Sequence, residues 1–183
     1  MADHAGATRK AAGRLIDLGH RRIALLTGGP TIYPARERIH GFTEAFAMKG
    51  IELDRSLIRA HSFLSPESFQ QTSALLASKE PPTAIIAGGI DMLAGVIRAV
   101  RVRGLRIPDD ISLVGAGDSE LAELHMPAIS VQHWDQGEIG AGAANLLLNR
   151  IRNVASDEPQ HVLVRSEFIE RASIASPRPR GTL

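Results

Sequence analysis

The chain has 183 residues, 44% of them apolar and 22% charged, with a net charge of +1. That length supports one good core or two small ones, and so balanced a charge gives no bulk electrostatic case for nucleic acid or an acidic partner. The absence of cysteine excludes a disulfide scaffold, a thiolate zinc site and a cysteine nucleophile. No apolar run approaches the ~20 residues of a membrane span, and the first 13 residues carry no apolar signal region.

In chain order, residues 6–18 read as a helix, with Ala7, Ala11, Ala12, Leu15, Ile16 and Leu18 near helical spacing and Gly19 as the stop. Residues 22–27 (RIALLT) form a short apolar run suited to a central parallel strand, broken by Gly28-Gly29-Pro30. A second helix spans 34–50, and 57–60 reads as a strand. Ser65 and Pro66 open a third helix to Lys79, Ser65 as N-cap and Pro66 at the first helical position. Strand 84–87, helix 91–103 and strand 111–114 repeat the alternation. Strands alternating with helices of this length predict an α/β fold with a doubly wound parallel sheet. Ligands of such sheets bind beside the strands' carboxyl ends. After Pro127 the character changes: 129–133 is strand-like, 137–152 is a strongly apolar helix, and 162–164 and 168–169 read as late strands.

Gly28-Gly29-Pro30 lies where a phosphate loop would, but it lacks the Walker Gly-Lys-Ser/Thr ending, and no G-x-G-x-x-G is present. A tight strand exit is the simpler reading. Arg36 and Arg38 lie about 200° apart around their helix, so only one can face a cleft. A guanidinium there can grip planar or polyol oxygens with paired donors, or both arginines can be solvated. Asp91, Asp118 and Glu120 stand at or just past strand carboxyl ends, where they can line a site or cap the next helix. The seven histidines show no H-x-x-x-H pair, so no helical zinc site is expected. His133-Trp134 follows a strand where the chain can cross between lobes, with Trp134 the single tryptophan. Phe63, in a loop after a strand, can stack on a ring ligand or cover the sheet end.

Several segments together resemble the effector domain of lactose-repressor-type bacterial transcription regulators. They are Leu15-Ile16-Asp17-Leu18-Gly19-His20-Arg21-Arg22-Ile23-Ala24, Ala35-Arg36-Glu37-Arg38 with Gly41-Phe42, Pro82-Thr83-Ala84-Ile85, the run from Gly104 to Gly115, and Arg171-Ala172-Ser173. The likeness covers nearly the whole chain in order. It implies a periplasmic-binding-protein-like domain in which two α/β lobes close on a small-molecule effector, a sugar or nucleoside-type metabolite. On this resemblance residues 3–131 are the second lobe. Residues 132–165 return toward a mostly absent first lobe, 166–176 make the final hinge crossing, and 177–183 are a disordered tail. It further implies a cytoplasmic homodimer without cofactor or metal, touching operator DNA only through an N-terminal helix-turn-helix that this chain lacks. Helices 66–79 and 91–103 would pack on the partner, the latter through Met92, Leu93, Val96, Ile97 and Val100.

Carried over by position, Arg38 stands for the family's ligand-clamping arginine and Phe63 for an aromatic packed on the ligand ring. His133 and Trp134 would line the hinge side. Three positions depart from the pattern. Gly89-Ile90 replaces an Asn or Asp, with Asp91 one step on. Ala116-Gly117-Asp118 replaces Phe-Asp-Asp, and His133 stands for the polar residue of the crossing strand. Unpaired buried donors and acceptors cost about 1–3 kcal/mol each, so these losses argue against an ordinary hexose and toward a larger, less hydroxylated ligand, or none. Two other readings compete. A solute-binding protein of a transport system shares the lobes, and sequence upstream would separate it. An α/β enzyme using Asp91, Asp118 or His133 lacks a phosphate loop, a nucleophile elbow and a metal cluster.

Overall fold

A computed structural model of the chain describes residues 1–152, 158 and 160–178. The elements are α1 (His4–Asp17), β1 (Ile23–Thr27), α2 (Tyr33–Met48), a 3-10 turn (Arg55–Leu57), β2 (Ile58–Ala60), α3 (Ser65–Leu76), β3 (Ala84–Ala87), α4 (Ile90–Val102), β4 (Ser112–Ala116), α5 (Glu120–Leu124), β5 (Ser130–Trp134), α6 (Gln136–Ile151) and β6 (Ser166–Ile169). They build one six-stranded sheet in the order β2-β1-β3-β4-β5-β6. The first five strands are parallel, and β6 runs antiparallel to β5 with Val131 opposite Ile169.

Every residue of β1, β3 and β4 is buried, which is why these strands read as continuous apolar runs rather than alternating ones. Successive side chains still divide between two cores. Leu25, Ile86 and Val114 meet Leu15, Phe42 and Phe46 from α1 and α2 on one face. Leu26, Ile85 and Leu113 meet Met92, Leu93 and Val96 from α4 on the other, beside Leu75 of α3.

The amino edge of the sheet is pinned by side chains. His20 is buried with Nε2 2.9 Å from the Ala175 carbonyl, which can only accept, so Nε2 carries the proton and Nδ1 accepts from the Thr83 hydroxyl at 2.8 Å. Ser173 Oγ donates to the Leu113 carbonyl at 2.6 Å and accepts from the Ser130 N–H at 2.8 Å. The Arg-x-Ser ending therefore serves the sheet: its serine joins β4 to β5.

Four expectations need correction. Residues 162–164 do not form a strand; Val164 makes an isolated parallel bridge to Ala2. Ser65 is not an N-cap. Leu64 holds that position, and the Ser65 N–H is taken instead by Asp91 Oδ2 at 2.9 Å, a cap contributed from 26 residues away. Helix α5 escaped the sequence reading because it is five residues long; Ser119 caps it by accepting from the Ala122 N–H. Finally, Met92, Leu93, Val96 and Val100 are buried within the chain, so α4 would offer a partner Arg98, Arg101 and Val102 instead. Helix α6 does match the predicted span, and none of its residues is buried; Leu147 and Ile151 stay 62% and 67% exposed. In the predicted tail, Arg178 pairs with Asp109 at 3.0 Å, while 179–183 lie outside the described residues.

Candidate functional site

The loops leaving the carboxyl ends of β1, β3, β4 and β5 surround a cavity of about 490 Å3. Its floor is set by a ring and two glycines. The Phe63 ring is wedged between Gly28 and Gly89: a Cβ on Gly28 would overlap the ring, and one on Gly89 would lie 3.0 Å from Phe63 Cδ1. Gly28 thus leaves room for an aromatic side chain, which accounts for one glycine of the motif that resembled a phosphate loop; a Cβ on Gly29 would meet nothing within 4 Å.

Arg38 enters from the second turn of α2. The two arginines of this helix separate as the helical angle requires. Arg36 is exposed, its guanidinium 5.4 Å from the Tyr33 ring centre and 3.6 Å from Glu37. Arg38 is 3% exposed and lines the cavity. Among the described residues it forms no ion pair, and its buried Nε has no hydrogen-bond partner. The Trp134 ring, 6.0 Å from the guanidinium carbon, is the aromatic face it meets. Burial alone pushes its pKa down to about 10, so it remains charged at neutral pH.

Of the other expected residues, Trp134 lines the cavity with Arg38 and Phe63. Asp118 and His133 line an adjoining hollow of about 390 Å3, of which Trp134 is the shared wall. Asp118 is already engaged, its two oxygens 2.9 and 2.8 Å from the Arg171 guanidinium, whose hydrogen bonds hold its carboxyl below the usual range. Asp91 lines neither space, because it caps α3. Strand-end carboxylates were the obvious site candidates, and two of them, Asp91 and Asp118, have structural partners too distant in sequence to be foreseen.

His4 was missed. It opens α1, lines the cavity, and packs edge-on against Trp134 with ring centres 5.2 Å apart. Its Nδ1 is buried without a partner. Burial first, then Arg38 and the N-terminal ammonium, lower its pKa to about 4, with Asp3 opposing. Only the cavity's geometry exposes it, since in sequence it is one of seven scattered histidines. Because the folded value lies below the ordinary 6.5, the unfolded chain binds the extra proton. The stability that neutral His4 allows is complete above about pH 6.5 and is lost as pH falls toward 4, by roughly 2–3 kcal/mol. Melting temperatures of wild type and His4→Phe should diverge over this window, the wild type falling faster. The phenyl ring keeps the contact with Trp134, and the buried His20 is common to both proteins. Parallel curves would remove His4 from the acid response.

Three comparisons place this geometry among known proteins. A family model described as a periplasmic binding protein-like domain matches residues 12–174. The HTH-type transcriptional repressor PurR of Shigella dysenteriae is 34% identical over 165 residues, covering 90% of this chain and 48% of that protein, so the chain spans about half the length of the curated relative. A putative LacI transcriptional regulator from Bacillus cereus subsp. cytotoxis superposes with a TM-score of 0.90 at 27% identity, over 97% of this chain and 62% of the other. A LacI family regulator from Enterococcus faecium, solved with bound ribose, gives 0.84 at 26% identity, over 97% and 65%.

Proposed function

Because the chain belongs to the periplasmic binding protein-like domain family, in the form carried by lactose-repressor-type regulators, we propose that it is the ligand-sensing part of a bacterial transcription regulator. One observation carries the reading: a buried guanidinium with no anion among the described residues lines a cavity at the carboxyl edge of a parallel sheet, with Phe63 and Trp134 as walls. A buried unpaired charge is costly, and a ligand that pairs with it recovers the cost only when bound. Residues 3–131 act as the second lobe, 132–165 as the return toward a first lobe, and 166–176 as the last crossing. Ligand shifts the population of lobe arrangements, and no covalent chemistry is involved. The working protein is a cytoplasmic homodimer that meets operator DNA through a helix-turn-helix of the kind its repressor relative is named for.

A thermal-shift panel of sugars, sugar acids, polyols, nucleosides and phosphorylated metabolites tests the reading. A ligand at a hundred times its Kd stabilises by about 2.7 kcal/mol, a rise of roughly 5–10 °C for a domain of this size. The rise is expected to vanish in Arg38→Ala. A hit equally strong in that variant would move the site elsewhere, and turnover of a panel member abolished by Asp118→Asn would replace sensing by catalysis. Sedimentation at tens of micromolar should show a dimer.

A further inference from the structure

We propose that the Arg38 cavity takes a small ring-bearing monocarboxylate rather than a sugar; the inference rests on the sensing function above and deepens it. The lining that this lobe contributes argues against a polyol. Among the described residues its polar side chains are Arg38, His4, Tyr33 and Trp134, the last a donor through its indole N–H, and no aspartate, glutamate, asparagine, glutamine, serine or threonine lines it. A pentose or hexose would bring several hydroxyl donors into this space with almost no acceptors to meet them, at about 1–3 kcal/mol for each one left unpaired. The nearby carboxylates cannot be recruited cheaply. Asp3 accepts from the Gly6 N–H at 2.8 Å, Asp91 caps α3, and Asp118 is held by Arg171.

The same lining calls for an anion. Arg38 is the buried cation of the cavity and has no counter-ion among the described residues. Two helix N-termini open onto the same space, through Tyr33 and Pro34 of α2 and through Gly89 and Ile90 of α4. Neither cap residue, Ile32 or Gly89, supplies a side-chain acceptor; Asp91 in the first turn of α4 already answers that helix's partial positive charge, whereas α2 has no acidic residue in its first turn, so the α2 end is the one left for a ligand. A helix end alone would say little; the unpartnered guanidinium that the same helix sends into the cavity gives it direction. A planar guanidinium pairs with a planar carboxylate through two parallel hydrogen bonds. A phosphate ester would bring a second charge into a space with a single buried cation and apolar walls. The remaining surface, from Phe63, Trp134, Ile90 and Ile139, suits a flat apolar body, and about 490 Å3 accommodates one or two rings.

Isothermal titration of this chain with benzoate, phenylacetate and cinnamate tests the assignment, against benzamide, phenyl phosphate, ribose and adenosine. Trp134, the single tryptophan, gives a fluorescence signal from the cavity wall. The carboxylates should bind at least tenfold more tightly than benzamide and change the Trp134 emission. Arg38→Met should abolish that preference, and Arg38→Lys, which keeps the charge and loses the fork, should retain part of it. Tighter binding of phenyl phosphate than of benzoate would overturn the choice of carboxylate. Arg38-dependent binding of ribose or adenosine with silent carboxylates would overturn the ligand class and leave the sensing function standing. Carboxylate binding unchanged in Arg38→Met would remove the site itself, and with it the proposed sensing pocket. No heat and no emission change with any probe would sink the proposal outright.

Discussion

Unliganded Arg38→Met is expected to melt about 2–8 °C above the wild type while binding the cavity's ligand about a hundredfold less tightly. The two effects have one cause. Arg38 is 3% exposed, and its pKa falls to about 10 because its charged form has lost water without gaining an anion. A displacement of that size corresponds to roughly 3 kcal/mol spent on keeping the guanidinium charged at neutral pH. The Trp134 face at 6.0 Å returns a fraction of it, on the order of 1 kcal/mol. Methionine keeps much of the aliphatic stem and removes the charge, so the empty protein should gain about 1–2 kcal/mol. With ligand present the order reverses, because the variant has lost the fork that an anion would grip. Thermal melts of both proteins, with and without ligand, give the four numbers required. A variant less stable than wild type when empty would mean that Arg38 is satisfied in the resting protein and is not held ready for a ligand.

The sequence carried the architecture because its punctuation is local. Gly19, Gly50 and Gly104 end helices, and Pro81-Pro82 separates α3 from β3, so strand and helix boundaries fall within a few residues of 23–27, 84–87 and 90–102. What it could not carry depends on distant partners. The strand at 162–164 was expected from three apolar residues, yet only Val164 finds a neighbour, and that neighbour is Ala2. Asp91 and Asp118 looked like site residues from their place after strands. Their roles follow from Ser65 and Arg171, which lie 26 and 53 residues away.

The site divides in the same way. Helical geometry alone allows only one of Arg36 and Arg38 to face a cleft, and the structure buries Arg38 and leaves Arg36 on Tyr33. The resemblance to regulator effector domains picked out Arg38, Phe63 and Trp134, which do surround one cavity. His4 carries no signal in the sequence, because it joins the cavity only once α1 has packed on α2 and the Ala2–Val164 bridge has fixed its start. The apolar residues of α4 assigned to a partner were misread for the opposite reason. The apolar stripe of α4 is so regular that it serves the core completely, and nothing in its pattern marks the residues left over for a partner.

Both helix layers depend on a glycine at a close crossing, and this makes the second large effect. On one face a Cβ on Gly41 of α2 would overlap the Ala5 carbonyl of α1, with Ala5 Cα at 2.9 Å. On the other, a Cβ on Gly95 of α4 would overlap the Ser65 carbonyl of α3, with Ser68 Cβ at 2.8 Å. These obstacles are mostly backbone, which cannot rotate away, so each helix pair must separate to admit even one carbon. Gly41→Val and Gly95→Val are expected to cost about 3 kcal/mol or more each, above the usual range for overpacking because the backbone itself must move. Gly13, in the middle of α1 with nothing within 4 Å of its Cβ position, supplies the contrast. Gly13→Ala should stabilise by about 0.5–1 kcal/mol, since it removes unfolded-state freedom and adds helix propensity without a clash. Denaturant melts of the three variants should therefore split in sign. Moving Gly41 also displaces Ala5, whose neighbour His4 lines the cavity, so a milder Gly41→Ala should weaken ligand binding where Gly95→Ala, on the opposite face, leaves it closer to wild type. If all three glycines proved equally tolerant, the helix pairs would be looser than their crossings imply, and the placement of His4 beside Trp134 would have to rest on the Ala2–Val164 bridge alone.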